Sequence, residues 1–355
     1  MRIGILTFHS AHNYGAVLQC FALQQYLSKR HDVYVIDYRP NSIVKGYHWF
    51  LWRRFVCKNP LKMFVKSVRE ISLIRYRKKR FEGFNKFIEN KIKLAEVSTI
   101  HSQPYDYIII GSDQVWNYNL TNGFDDYFWG KIEIPTCTKI ISYAASMHDS
   151  WPKEIDIQIL DRLKNFTSIS VRENQLALKL SKLLNKPIQT VVDPTLLLKK
   201  EQWELITRRI IREKYLLLYQ VEQNQTTIDI AHKIANQLNL RLIAISAQVE
   251  GLNSKEIITS SPEDFVSLFR YANFVVCSSF HGTIFSLLFN VPFYSVRMGV
   301  GKDNRVASLL SDLSLENRFI DHWDDTQYGL NYCINDKALD NMVMASESYL
   351  FNELV

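Results

Sequence analysis

The chain has 355 residues, 47% of them apolar and 22% charged, with only 12 Gly and 9 Pro. That balance excludes a disordered or fibrous polypeptide, and a domain size of about 150 residues predicts two domains. The formal charge is +7, no apolar run approaches the ~20 residues that cross a bilayer, and five scattered cysteines without a C-x-x-C pair support neither a disulfide framework nor structural zinc.

Short runs rich in Val, Ile, Leu and Tyr alternate with longer helical patterns along the chain. The opening stretch Ile3–Phe8 reads as a first buried strand rather than a leader, which predicts a cytoplasmic protein. Strands are predicted at Ile3–Phe8, Val33–Asp37, Tyr107–Ile110, Lys139–Ala144, Ser168–Val171 and Gln189–Val192, then at Tyr215–Tyr219, Arg241–Ser246, Phe274–Cys277 and Pro292–Val296. Helices are predicted at Ala16–Lys29, Pro152–Asn165, Glu173–Leu184, Gln202–Arg212, Thr226–Leu238, Pro262–Tyr271, Thr283–Phe289 and Arg305–Leu313. Strands separated by helices imply parallel sheets, so the fold class is α/β with two doubly wound lobes facing a cleft. The lobes are placed at residues 1–205 and 206–335, with a final helix at 336–355 that packs back on the first lobe.

A basic insertion occupies about residues 45–95. From Arg53 to Lys93 there are fourteen Lys/Arg against three acids, a surplus of eleven that leaves the rest of the chain slightly acidic. Aromatic residues precede the block at Tyr47, Trp49, Phe50 and Trp52 and recur within it at Phe81, Phe84 and Phe87, the last three at helical spacing. Three readings stand: packed helices with solvated charges, an interfacial element at Trp49–Arg80 touching an anionic membrane, and nucleic-acid binding. No helix-turn-helix, zinc-finger or RNP-type signature accompanies the charge, so nucleic acid is not expected as a partner.

In doubly wound folds the loops after strands carry the chemistry. After the first strand, His9 to Gln19 includes Asn13 and Gly15, where glycine would admit a ligand close to free N–H groups. His9 and His12 read as ordinary loop polarity, since a metal needs more ligands. No G-x-G-x-x-G or Walker motif occurs, so a bound dinucleotide or ATP has no signature. After Tyr107–Ile110 comes a dense polar turn with Asp113, Gln114 and Asn117. Arg172 follows Ser168–Val171, suited to a carboxylate or phosphate and equally to an ion pair with Glu173 or Asp193. Asp193-Pro194-Thr195 reads as a turn and cap as much as a ligand site. The sharpest feature is Ser278-Ser279-Phe280-His281-Gly282, which puts an imidazole at a helix N-terminus, a ready anion site with an acid/base group inside it. Lys302 and Arg305 stand just beyond it and offer positive charge.

Together these segments resemble the polysaccharide pyruvyl transferase family. The matching elements, in the family's order, are Asn13-Tyr14-Gly15-Ala16-Val17-Leu18-Gln19, Gly111-Ser112-Asp113-Gln114-Val115-Trp116-Asn117, Ser142-Tyr143-Ala144-Ala145-Ser146, Ser170-Val171-Arg172-Glu173, Asp193-Pro194-Thr195-Leu196-Leu197-Leu198, Ser279-Phe280-His281-Gly282 and Arg305-Val306-Ala307-Ser308-Leu309-Leu310. They cover roughly residues 1–320, and the chain departs from the pattern at Met147-His148, where a Phe-Gly-like pair is usual. The resemblance implies a glycosyltransferase-B-like fold and transfer of a pyruvyl group from phosphoenolpyruvate to a hexose hydroxyl pair, forming a cyclic ketal. It implies His281 and Arg172 as catalytic, Arg172, Arg305, Lys302, Ser279 and Gly282 as donor-binding, and Asn13, Gly15, Asp113, Gln114 and Asn117 as acceptor or cleft residues. No cofactor or metal is expected beyond the donor substrate. The acceptor is expected to be a hexose of a cell-surface polysaccharide or its lipid-linked precursor, which would suit a place at the inner face of the cell membrane. The alternatives are a nucleotide-sugar glycosyltransferase of the same fold and a non-catalytic carbohydrate-binding protein.

Overall fold

The computed structural model describes residues 1–47, 60–147, 151–246, 260–299, 301, 303–324 and 336–355. The strands are β1 (Arg2–Leu6), β2 (Asp32–Ile36), β3 (Leu94–Ala95), β4 (Tyr107–Ile110), β5 (Lys139–Ala145), β6 (Ser168–Val171), β7 (Gln189–Thr190), β8 (Tyr215–Gln220), β9 (Arg241–Ser246), β10 (Phe274–Cys277), β11 (Phe293–Val296) and β12 (Phe319–Ile320). They form a seven-stranded sheet, ordered β3-β2-β1-β4-β5-β6-β7, and a five-stranded sheet, ordered β12-β11-β10-β8-β9. All pairings are parallel. Helices cover both faces of such sheets, so central strands are apolar throughout rather than alternating; every residue of β4 and β10 is buried. In each sheet the strand order reverses at a central strand, β1 and β8, and opens a crevice at the carboxyl ends of the strands. The result is the two-lobed, glycosyltransferase-B-like architecture.

Differences from the sequence reading have local causes. β3 and β12 have two residues each, too short to show a pattern. The helix expected over Gln202–Arg212 is only Lys200–Glu204. Beyond it, the Arg208 N–H donates to Ser267 Oγ (3.1 Å) and its side chain pairs with Asp264 (3.1 Å). These bonds on the second lobe hold that stretch out of a helix.

The helix Asp336–Glu353 lies against the first sheet. Tyr349 Oη donates to the Ser142 carbonyl (2.9 Å), the Val192 N–H to Ser346 Oγ (2.9 Å) and Tyr107 Oη to the Val355 carbonyl (2.9 Å).

The basic block contains the 32-residue helix Pro60–Lys91. Phe84 and Phe87 are buried, as their spacing predicts. Arg80 turns inward, donating to the His12 carbonyl (2.7 Å) with its guanidinium 4.9 Å from the Tyr14 ring. The same helix reaches the second lobe, where a Cβ on Gly83 would stand 3.1 Å from Ser261 Cβ and Lys91 pairs with Glu263 at 3.7 Å. Residues 48–59, including Trp49, Phe50 and Trp52 of the expected membrane-facing segment, lie outside the described residues. Among the described residues no helix is long and apolar enough to cross a membrane.

Candidate active site

The first lobe builds an acidic cage around Arg172, at the end of β6. Asp193 starts the turn Pro194–Leu196, its Oδ1 accepting from the Thr195 N–H (3.0 Å) and hydroxyl (2.7 Å). That leaves Oδ2 to accept from Arg172 Nη1 at 2.7 Å. Arg172 Nε donates to Glu173 Oε1 (3.2 Å), which also accepts from Ser146 Oγ (2.7 Å). Asp113 adopts a left-handed backbone (φ 72°) and places Oδ1 3.8 Å from Arg172 Nη2. Both ion-pair alternatives read from the sequence are thus realised at once. Nη2 itself is buried without a hydrogen-bond partner.

The second lobe brings His281. Ser279, after β10, caps the helix Phe280–Leu288 by accepting from the Gly282 N–H at 3.3 Å. His281 sits buried in the first turn, 8% exposed, and crosses to the first lobe, where Nε2 lies 3.3 Å from Asp193 Oδ2. The approach lacks hydrogen-bond geometry, so Nε2 faces the Asp193 carboxylate without a hydrogen bond. The other face of the ring rests on Gly15: a Cβ there would fall 2.0 Å from His281 Nδ1. Phe280 stands between the arginines, with the Arg172 guanidinium 5.1 Å and that of Arg305 5.7 Å from its ring.

Charge here is mutual support. Burial alone would raise the Asp193 pKa, but His281, Arg172 and the Thr195 hydroxyl hold it well below the carboxylate range. Burial would lower that of Arg172, yet Glu173, Asp193 and Asp113 push it above its usual value. Arg305 goes the other way, lowered by burial and then by the like charge of Arg172.

Two cavities meet here. A cleft of about 1020 Å³ between the lobes is lined by Asn13, Asp113, Gln114, Asn117, His281 and Arg305 among others. A pocket of about 210 Å³ beside it is lined by Arg172, Asp193, Phe280, Arg305, Met342 and Ser346 among others, so the C-terminal helix forms part of its wall. Glu173, Phe280 and Arg305 line both.

Several expected site residues hold the frame. Asn13 Oδ1 caps the helix Tyr14–Leu27 by accepting from the Gly15 N–H (2.9 Å), and Asn117 Nδ2 donates to Gln114 Oε1 (2.6 Å). The close approach expected at Gly15 is made by the imidazole, so it leaves no room there for a ligand. Gly282 has its N–H occupied by its own cap, and a Cβ on it would stand 2.9 Å from Cys277 Cβ; it serves helix–strand packing. Lys302 lies outside the described residues. His9 bonds Asp37 (2.8 Å) and His12 stacks on Phe84 (4.8–5.1 Å from the Phe81 and Phe84 rings). Among the described residues no three metal-ligating side chains converge. Glu173 and Phe280 are not among the site residues expected from the sequence; their signal is their place beside Arg172 and His281 inside two of the family-like segments.

Two facing α/β lobes thus enclose a charged, histidine-bearing cleft. The family model for polysaccharide pyruvyl transferase matches residues 13–298, and the chain belongs to that family. A search of curated protein sequences finds no significant match. Among solved structures, the chain is similar to UDP-N-acetylglucosamine 2-epimerase from Rickettsia bellii (10% identity, TM-score 0.47, covering 99% of this chain and 95% of that one). It is also similar to the UDP-GlcNAc 2-epimerase of Neisseria meningitidis (10%, 0.45, 99% and 92%) and to an O-GlcNAc transferase mutant of Thermobaculum terrenum (10%, 0.40, 99% and 63%).

Proposed function

We propose that this transferase moves a pyruvyl group from phosphoenolpyruvate to two hydroxyls of a hexose, within a polysaccharide or its lipid-linked precursor, closing a cyclic ketal. The observation that carries the reading is His281, whose buried Nε2 makes no hydrogen bond and faces Asp193 at 3.3 Å, in the first turn of a helix and in a cleft also lined by Arg305, with Arg172 on the smaller pocket beside it. Phosphoenolpyruvate carries a carboxylate and a phosphate. Arg305, Arg172 Nη2 and the amino end of the helix Phe280–Leu288 supply matching donors. Among the described residues Arg305 has no acidic partner at salt-bridge distance, which frees its charge for such an anion.

Ketal formation needs a proton delivered to the donor's CH₂ carbon, attack of a sugar oxygen on the central carbon, and departure of phosphate. His281 performs the delivery, with Asp193 beside it to stabilise the protonated ring. The larger cleft accommodates a sugar chain. The reaction, so drawn, needs no resident cofactor or metal.

The test is thermal denaturation of the purified protein with phosphoenolpyruvate, pyruvate, phosphate, UDP and GDP. A ligand at 100 times its dissociation constant stabilises by about 2.7 kcal/mol. Stabilisation by phosphoenolpyruvate beyond phosphate or pyruvate is expected; a shift with a nucleoside diphosphate alone would favour a nucleotide-sugar glycosyltransferase. His281→Ala should keep the fold and lower turnover by about 10²- to 10⁴-fold, the range for one acid/base group. Full activity in that variant would remove His281 from the chemistry.

A further inference from the structure

We propose that Glu173 is a second catalytic group, the base that takes the proton from the acceptor hydroxyl as it adds to the donor. The inference rests on the pyruvyl-transfer reading above and extends it to a residue with no role there.

The two oxygens of Glu173 have different circumstances. Oε1 is fixed by Ser146 Oγ (2.7 Å) and Arg172 Nε (3.2 Å). Oε2 is buried and has no hydrogen-bond partner. A buried acceptor without a donor is unfavourable, and a hydroxyl arriving at Oε2 relieves it. The residue lines both the cleft and the smaller pocket, at the seam where an acceptor in one would meet a donor reaching from the other. His281, tied through Asp193 to the same Arg172, stands on the opposite lobe. One group can thus take a proton from the sugar while the other delivers one to carbon.

The steps balance. The first acceptor O–H breaks and its proton goes to Glu173 Oε2 as the oxygen bonds the central carbon. The π pair of the enol double bond takes a proton from the His281 imidazolium and becomes a methyl group. The bond from the central carbon to the phosphate oxygen then breaks, its electron pair leaving on phosphate, which accepts the proton held by Glu173. The second hydroxyl bonds the central carbon and gives its proton to His281, restoring the imidazolium.

Glu173→Gln tests this, because the amide keeps an oxygen for Ser146 and Arg172 but replaces Oε2 with a group that accepts no proton. The readouts are the thermal shift by phosphoenolpyruvate and phosphate release with a panel of p-nitrophenyl hexosides as acceptors. We expect E173Q to keep its phosphoenolpyruvate shift and to lose about 100-fold or more in turnover. Glu173→Asp, which keeps a carboxylate, should recover about tenfold of that loss. Turnover of E173Q within about threefold of wild type, or equal turnover of E173Q and E173D, overturns the proposal. So does loss of the phosphoenolpyruvate shift in E173Q, which would make Glu173 a positioning residue for Arg172. A wild-type protein that neither shifts with phosphoenolpyruvate nor releases phosphate overturns the pyruvyl reading itself and this one with it, and the wild-type arm alone reveals that case.

Discussion

Arg172 and Arg305 approach the same Phe280 ring, at 5.1 and 5.7 Å, and feel the same three acids, yet only the first pairs with them at close range. Arg172, with 2% of its side chain exposed, faces Asp193, Glu173 and Asp113 at 2.7, 3.2 and 3.8 Å. Arg305, from the second lobe, is only partly buried and has no acidic partner among the described residues. The first arginine is committed to holding three carboxylates together, Nη2 meeting Asp113 at 3.8 Å without a hydrogen bond. The second has its charge available. An arginine at a strand's end is therefore no guide by itself to which guanidinium meets the ligand.

The largest effect that could break this contrast is on stability. Arg172→Ala leaves Asp193 buried without its nearest charged partner, at 2.7 Å, and truncating one member of a buried pair costs about 3–5 kcal/mol. Arg305→Ala leaves no carboxylate orphaned and should stay within about 0.5 kcal/mol of wild type. Urea titration of both variants decides: equal destabilisation would mean that Arg172 is no scaffold.

The contrast sharpens in binding. Removing Arg305 deletes charge-assisted hydrogen bonds of about 1.5–3 kcal/mol, so the apparent affinity for phosphoenolpyruvate should fall by about 10- to 100-fold with the melting temperature nearly unchanged. Calorimetric titration of Arg305→Ala at matched ionic strength measures it. Unchanged affinity would move the anion site away from Arg305.

A third substitution probes the imidazole that faces Asp193 from the other lobe. Gly15→Ala would put a methyl carbon 2.0 Å from His281 Nδ1, and the backbone beneath it belongs to the first turn of a 14-residue helix. The ring must move. A displacement on the order of 1 Å at a reacting group can lower turnover by about 10²-fold, so kcat should drop far more than donor affinity. Steady-state kinetics giving a wild-type kcat would show that His281 needs no such seat.

These residues also mark what the sequence disclosed. Apolar runs such as Tyr107–Ile110 and Phe274–Cys277 announced buried parallel strands, because both their faces are covered. His281 stood out because a strand, a serine cap and a helix start fall within a few residues, all local chemistry. The contact between Gly15 and His281 is different: it joins helices of opposite lobes, and nothing near either residue encodes the other. The same holds for Arg172, whose acids arrive from the turns after three different strands, β4, β6 and β7. A reading one residue at a time leaves ion pair and ligand site as alternatives; packing turns all three guanidinium nitrogens toward carboxylates, with Nη2 alone making no hydrogen bond. Gly282 misled for a related reason, since a glycine that lets a helix approach a strand looks in sequence like one that lets a ligand approach a backbone.

The smallest effect separates the buried carboxylate from a more exposed one. Asp193 is held below its usual pKa against the opposing effect of burial. Asp37 is likewise affected first by burial, which raises it, but His9 and Arg39 bring it down to about 2. A carboxylate depressed in the folded state stabilises fully above its unfolded value of about 3.9 and loses that contribution as pH falls through the folded value. Thermal stability of the wild type should therefore decline from about pH 4 downward. Asp193→Asn should be destabilised at neutral pH and show a flatter decline below about pH 4, since the group that takes up the proton is gone. Asp37→Asn should do the same by less, because its carboxylate is 31% exposed and solvent screens its pairing. Melting curves of the three proteins across this range order them. If Asp193→Asn loses stability with acid as steeply as wild type, the Asp193 carboxylate contributes no proton-linked stability, and the picture of Arg172 as the centre of an ionised cage fails while that of Arg305 is untouched.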